Sequence, residues 1–335
     1  MKVFELRAFG ADSLTLTERP EPKPGPGQVL LQMRAFSLNY RDLMVVQGIY
    51  NPKQRLPLVP LSDGVGKVVA TGAGVNRVKV GDRVAGIFMQ KWLSGEISEE
   101  KARSSLGAQA EGVLAEYVVL DQDGVVTVPE HLSDEEAATL PCAAVTAWHA
   151  LVSEHGVKPG DTVLILGTGG VSLFALQFSR LAGARVIATS SSKAKLERVQ
   201  QLGASDGINY RDNPEWDKAV RTLTGGLGVD HVVEVGGAGT LPQSLRAVRM
   251  GGRISLIGVL AGGAGSVNPL PILMKNVRVQ GIYVGSREMF EAMNRAIALH
   301  QMHPVVDRVF AFEEIREALR TMESAGHFGK ICLRI

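Results

Sequence analysis

One stretch of this 335-residue chain has both the residue types and the spacing to do chemistry: Gly167-Thr168-Gly169-Gly170-Val171-Ser172. It follows the apolar run Thr162-Val163-Leu164-Ile165-Leu166 and precedes a helical pattern over residues 171–182. A strand that turns at Gly167 and opens into a helix at Gly170 offers free backbone N–H groups and the positive end of a helix dipole to an anion. Gly169 lets a pyrophosphate approach the backbone. Ser172 stands in third-glycine place and is small enough for the helix to pack on the strand. The bland alternative is a structural glycine turn; the strand–turn–helix setting favours a dinucleotide site.

The end of the next strand, predicted over residues 185–189, bears on which dinucleotide. A site selective for NAD places a carboxylate there for the ribose 2′-hydroxyl. Here the strand runs into Ser190-Ser191-Ser192-Lys193-Ala194-Lys195, with no carboxylate. The serine hydroxyls and the lysines, Lys195 among them, suit a dianionic 2′-phosphate, which a carboxylate would repel. Tyr210 and Arg211, beyond the following helix, are placed to flank the same phosphate or the adenine. The alternative is that the lysines only begin a solvated helix. The pattern predicts NADP(H) as cofactor.

Regular strand–helix alternation from about residue 159 is what must position this loop. Short apolar runs at 162–166, 185–189, 231–235 and 253–257 read as buried parallel strands. Helical patterns at 171–182, 193–202, 214–223 and 241–248 separate them, which predicts a doubly wound parallel sheet. Before this, residues 3–8, 28–36, 64–71 and 114–120 read as strands of a β-rich region punctuated by Gly and Pro. Lys79-Val80-Gly81-Asp82-Arg83-Val84 reads as a turn and strand, and residues 91–110 as a short helix with an exposed loop. Later, 276–283 and 329–334 read as strands, and 288–299 and 313–324 as helices.

Composition narrows the classes. A net charge of +2 makes no electrostatic case for nucleic acid or an acidic membrane surface. Cys142 and Cys332 form no spaced cluster, which fits a reducing compartment rather than a disulfide or structural-zinc scaffold. The N-terminus carries no secretory pattern and no apolar run reaches membrane-spanning length, so a cytoplasmic protein is expected. His131, His149 and His155 lack ligand spacing. Trp92, Trp148 and Trp216 do not form a stacking platform for nucleic acid.

With these stretches in place, the chain resembles the medium-chain dehydrogenase/reductase superfamily, most closely its zinc-lacking quinone-oxidoreductase-like branch. The resemblance spans essentially the whole length. It rests on Pro24-Gly25-Pro26-Gly27-Gln28-Val29, Asn39-Tyr40-Arg41-Asp42, Asp63-Gly64-Val65-Gly66-Lys67-Val68 and residues 79–84. Leu140-Pro141-Cys142 through Ala147-Trp148, the glycine loop and Phe328-Gly329-Lys330-Ile331 complete it. It implies an α/β fold: a GroES-like β-rich catalytic domain over residues 1–121, completed by 264–335, and a Rossmann domain over 122–263. It also implies a homodimer, with residues 276–284 pairing between subunits where an open edge would otherwise invite aggregation.

What the resemblance implies for chemistry lies as much in the departures. The positions of a zinc-dependent relative's Cys, His and Cys ligands are matched here by Asn39, Ser62 and Cys142. One thiol and two neutral groups do not make an open tetrahedral zinc site, so no metal is expected. The proton-relay positions are matched by Arg41 and Met44. Thr146, Val171, Val259 and Val284 are implied to lie near the nicotinamide, Lys330 by the cofactor phosphates, and Asn39 and Asp42 by the ribose or cleft. Val259 and Val284 have strand core as their alternative, and Asp42 a helix-start or arginine-partner role. Gln47-Gly48-Ile49-Tyr50 resembles the segment that supplies a tyrosine to related enoyl-thioester reductases; Tyr50 would donate a proton or a hydrogen bond, or simply pack. The expected activity is zinc-independent, NADP(H)-dependent transfer of hydride to a small-molecule quinone, enone or other activated carbonyl. Alternatives are a zinc-independent alcohol dehydrogenase and a non-catalytic NADPH-binding protein.

Overall fold

The computed structural model describes residues 1–154 and 156–335; His155 lies outside the described residues. Contacts group Met1–Val145 with Val284–Ile335 into one compact unit and Thr146–Tyr283 into another. The sequence places these divides nearer residues 121 and 263. Residues beyond 121 stay with the first unit because β7 (Val125–Thr127) hydrogen-bonds to β5 (Arg83–Gly86). Residues beyond 263 stay with the second because β13 (Arg278–Gly281) pairs with β12 (Val248–Leu256).

In the first unit, β3 (Gln28–Ser37) is the hub of a seven-stranded sheet. It runs antiparallel to β4 (Asp63–Thr71), β6 (Tyr117–Asp121) and β15 (Lys330–Arg334), and β14 (Val306–Ala311) joins β15 in parallel. A separate ladder pairs β1 (Lys2–Leu6) with β2 (Leu14–Glu18). The core between these layers is apolar and fully buried, with the Phe312 ring 5.1 Å from Phe4 and 5.7 Å from Phe36. Register decides what happens at one end of the hub. Ser37 sits opposite Asp63 on one side and Cys332 on the other. The residues just past β3, just before β4 and at the start of β15 therefore converge.

Leu61, just before that convergence, has φ +68, unusual for a side-chain-bearing residue. The chain crowds it closely: a Cβ on Gly107 would lie 2.7 Å from the Leu61 carbonyl, and one on Gly112 2.3 Å from it. Only glycine allows those two approaches, and they hold the Pro60–Leu61 backbone against residues 107–113.

The second unit is an all-parallel six-stranded sheet. Its order is β10 (Asp206–Asn209), β9 (Arg185–Ser190), β8 (Thr162–Leu166), β11 (Val229–Glu234), β12, β13. Helices Gly170–Leu181, Lys193–Gln201, Trp216–Leu223, Leu241–Ala247 and Leu270–Met274 are interleaved with the strands. Strand order reverses at β8, so the loop leaving its C-terminal end opens at the switch point where such sheets bind ligands. The expected doubly wound sheet is present, with one strand more than the sequence reading. β10 is short, and Ile208 is its only buried residue, so its apolar pattern is too brief to register. No helix among the described residues is long and apolar enough to cross a membrane.

Candidate active site

The glycine loop is built as its residue types require. Gly167 has φ +72, a conformation L side chains rarely adopt, and a Cβ at either Gly167 or Gly169 would meet nothing within 4 Å. The space before the loop is open. Gly169 precedes the helix Gly170–Leu181, and no side chain caps it, so the N-terminal N–H groups remain for a ligand. Two bonds fix the loop from behind: the Ser172 hydroxyl donates to Leu166 O at 2.7 Å, and Gly167 N–H donates to Thr189 Oγ1 at 3.3 Å. Val171, half-buried, follows Gly170 in the first turn. This cradle fits a dinucleotide pyrophosphate.

At the end of β9, Ser190 is buried and its Oγ accepts from Ser192 N–H at 3.3 Å. Ser192 in turn caps the next helix through Lys195 N–H. The pairing of β9 with β10 sets Ser190 opposite Asn209, and Tyr210 N–H donates to Ser190 O at 3.1 Å. The half-exposed Tyr210 ring and the Lys195 turn thus flank Ser190, while Arg211 is exposed beside them. A carboxylate the sequence reading passed over, Asp212, lies here too; it pairs with Lys193 at 3.8 Å.

Thr146 is buried, on the short helix Val145–Trp148, which two π-helical turns bracket, Leu140–Ala144 and His149–Ser153. Val259 lies on an exposed loop after β12, so its strand-core alternative does not hold. Val284 is buried but past the end of β13, so it too is not strand core. Its φ of +56 is an outlier for a β-branched residue.

At the convergence in the first unit, four segments assemble a polar cluster among apolar surroundings. Asn39, Asp42, Ser62, Asp63 and Lys330 are each nine-tenths buried or more. The Lys330 ammonium donates to Leu38 O and to Asn39 Oδ1, both at 2.6 Å. The Asn39 amide nitrogen donates to Ser62 Oγ at 3.5 Å, and the Ser62 hydroxyl donates to Asp63 Oδ1 at 2.7 Å. Cys142 N–H donates to Asp63 Oδ2 at 3.1 Å. Asn39 N–H donates to Asp42 Oδ2 at 2.9 Å, and Arg41 approaches Asp42 Oδ1 at 3.3 Å. Asp42 therefore serves as the helix-start acceptor and arginine partner that its alternative reading described.

Burial governs the titration of these groups. It pushes the Asp63 carboxyl up to about 6, against the pull of the Lys330 charge. It also raises the Asp42 carboxyl, with Arg41 opposing, and raises the Cys142 thiol, with Asp63 adding to the effect. The thiol stays protonated at neutral pH.

Tyr50 is connected to this cluster through Arg41. The Arg41 guanidinium donates to Leu106 O at 2.7 Å and lies 4.6 Å from the Phe88 ring centre and 5.4 Å from that of Tyr50. Tyr50 also packs on Val45, Leu58 and Ala108. Lys330, which the resemblance puts by cofactor phosphates, is turned inward to Asn39. Of the histidines, His149 contacts Glu154 at 3.1 Å and His131 contacts Met302 O at 3.2 Å.

Two family models match the chain: an alcohol dehydrogenase GroES-like domain over residues 25–130 and a zinc-binding dehydrogenase over 170–298. A zinc-type alcohol dehydrogenase-like protein of Schizosaccharomyces pombe is 45% identical over 333 residues, covering 97% of this chain and 96% of that protein. The chain belongs to the medium-chain dehydrogenase/reductase superfamily. It is therefore an oxidoreductase of the nicotinamide-dependent, alcohol dehydrogenase-like and quinone oxidoreductase-like kind. Among solved structures of this superfamily, an NAD-dependent alcohol dehydrogenase aligns with TM-score 0.91 at 36% identity, covering all of both chains. A mycobacterial protein solved with NADPH aligns with TM-score 0.84 at 27% identity, also covering all of both.

The family names imply zinc, and the cluster tests whether zinc fits. Asn39 Oδ1 is already taken by an ammonium, the Ser62 hydroxyl is committed to Asp63, and the Cys142 thiol resists ionisation. A dication would need these same groups and would face Lys330 at close range. The donors present do not fit zinc.

Two residues to which the sequence assigned no site role shape these sites. Asp63 anchors the cluster, and its carboxylate at the head of the run Gly64 to Val68 was the available signal. Glu234 ends β11 fully buried. Its carboxylate accepts from Gly236 N–H at 2.7 Å, Gly237 N–H at 3.1 Å and the Thr240 hydroxyl at 2.6 Å, and from the Ser244 hydroxyl. An acidic residue closing an apolar strand before Gly236-Gly237 is the mark of this loop lock.

Proposed function

We propose that the chain is a zinc-independent, NADP(H)-dependent reductase of quinones, enones or similarly activated carbonyls. The observation that carries this reading is the buried cluster itself: the place of metal donors holds an amide, a hydroxyl, a protonated thiol and a lysine. A bound nicotinamide supplies hydride chemistry; the residues supply binding and polarisation. Gly167, Gly169 and Gly170 hold the pyrophosphate, and Val171, in the first turn of the helix that opens at Gly170, keeps the nicotinamide-side place that family resemblance implies. Ser190, Lys195 and Tyr210 take the 2′-phosphate, which the absence of a carboxylate at the end of β9 favours. Thr146, Val259 and Val284 keep the nicotinamide-side roles that family resemblance implies.

On the substrate side, Asn39 offers an N–H to a carbonyl oxygen gaining charge, and Asp42 fixes Asn39 through its backbone. Tyr50 is the proton or hydrogen-bond donor. Tyr50→Phe is expected to slow turnover by about a hundredfold; unchanged turnover removes that role. NADPH consumption across a panel of quinones and enones, with parallel NADPH and NADH titrations, tests the whole reading. Tight NADPH binding with no turnover would make the chain a binder instead. The name of the NAD-dependent relative favours a second reading, alcohol oxidation with NAD, which the same titrations separate.

We also propose a homodimer formed through the edge strand β13. Leu270, Leu273 and Met274, on the helix just before it, are largely exposed. A monomeric mass at micromolar concentration would contradict this.

A further inference from the structure

We propose that Lys330 is a positioning residue that sets the orientation of the Asn39 carboxamide and charges the site, in the place a metal cation would occupy. This rests on the functional reading above. It departs from the phosphate-binding role that resemblance implies for Lys330.

An ammonium carries three donors and no acceptor. The Asn39 atom 2.6 Å from Lys330 Nζ must therefore be the carbonyl oxygen, and the amide nitrogen must face the other way. That choice is made by charge, so the usual ambiguity between the two amide ends does not arise. Leu38 O, also at 2.6 Å, fixes the ammonium from the preceding residue, so one lysine grips two consecutive residues at the end of β3. β15 begins at Lys330, and Leu38 N–H donates to Ile331 O at 3.0 Å, which locks the two backbones in the register that brings the ammonium there.

The consequence reaches the amide nitrogen. The amide nitrogen faces Ser62 Oγ at 3.5 Å and the Asp63 carboxyl, so its N–H edge is turned to that side of the cluster. Drawing electron density from Oδ1 makes that N–H a stronger donor, and a buried ammonium acts in a low-dielectric setting where its charge is felt fully. Asp42 and Asp63 both lie within reach of this charge and balance it. The arrangement gives a metal-free electrophile: a neutral N–H edge backed by a fixed positive charge, which an oxygen gaining charge during reduction would share with Ser62 and Asp63.

A double-mutant cycle over Lys330→Met and Asn39→Ala tests this, with Asn39→Asp as a third variant that keeps the lysine and its charge partner. At saturating NADPH, Lys330→Met is expected to slow enone or quinone reduction by about a hundredfold. The Kd for NADPH should stay within about threefold of wild type, as expected for a group that does not hold the cofactor. The double variant should be no slower than Asn39→Ala, because no amide remains to orient, and Asn39→Asp should lose rate equally. Retained rate in Lys330→Met, losses that multiply in the double variant, or a tenfold weaker NADPH Kd with unchanged reduction rate would each overturn the inference. Melting temperatures over the same cycle read the contact without turnover. Coupled shifts support the contact and additive shifts overturn it. A wild-type protein inert toward the whole panel would sink the functional reading alone, and the melting cycle would still decide the contact.

Discussion

The glycine loop of the second unit and the polar cluster of the first are built in opposite ways. The loop is consecutive residues and backbone: Gly167 supplies a turn, Gly169 an open face, and a helix end the donors. The cluster draws on four separated segments, three of them brought together because Ser37 pairs with both Asp63 and Cys332, and the fourth tied in by the Cys142 N–H. A backbone site keeps its function under most side-chain changes nearby and fails when something enters its open space. A side-chain site fails when any one partner is lost.

This contrast can be broken most severely at the loop. Gly169 has space for a side chain, so Gly169→Asp should fold. Its carboxylate beside a pyrophosphate costs about 4 kcal/mol at an effective dielectric near that of a protein surface. Cofactor Kd should therefore rise by about three orders of magnitude; binding at wild-type affinity would mean the cradle lies elsewhere.

Ser190→Asp sharpens the comparison within the second unit. The new carboxylate would meet the 2′-hydroxyl of NADH favourably and repel the 2′-phosphate of NADPH. The ratio of the two Kd values should move toward NADH by about a hundredfold. An unmoved ratio would remove Ser190 from the phosphate site.

The smallest effect is in the cluster and is read as stability. The folded Asp63 carboxyl, at about 6, lies above its ordinary value of 3.8. A raised carboxylate favours folding most below its unfolded pKa, and that contribution is lost as pH rises toward 6. Asp63→Asn should therefore flatten the fall of melting temperature between about pH 4 and pH 7 by a few degrees. A wild-type slope in the variant would show that the carboxyl does not titrate there.

The same contrast explains what could be read from sequence. β8, its glycine turn and the helix behind it are local, and they were legible as residue types in order. β10 and β14 were not, because each is a short or half-exposed strand defined by its neighbour's hydrogen bonds rather than by its own pattern. Asn39, Ser62 and Cys142 were legible as departures from a metal site. That Lys330 closes on Asn39 depends on strand register between residues nearly 300 positions apart, which no local pattern encodes. Leu61 and Val284, both with positive φ, carry side chains that give no hint of their backbone.

On the proposed function, the positive charge at the first unit's site belongs to Lys330 and not to a metal. The most direct measurement is NADPH-dependent quinone or enone reduction before and after exhaustive chelation, with metal content determined on the same samples. An unchanged rate in protein free of zinc is the predicted result. A rate lost on chelation and restored by zinc would contradict it.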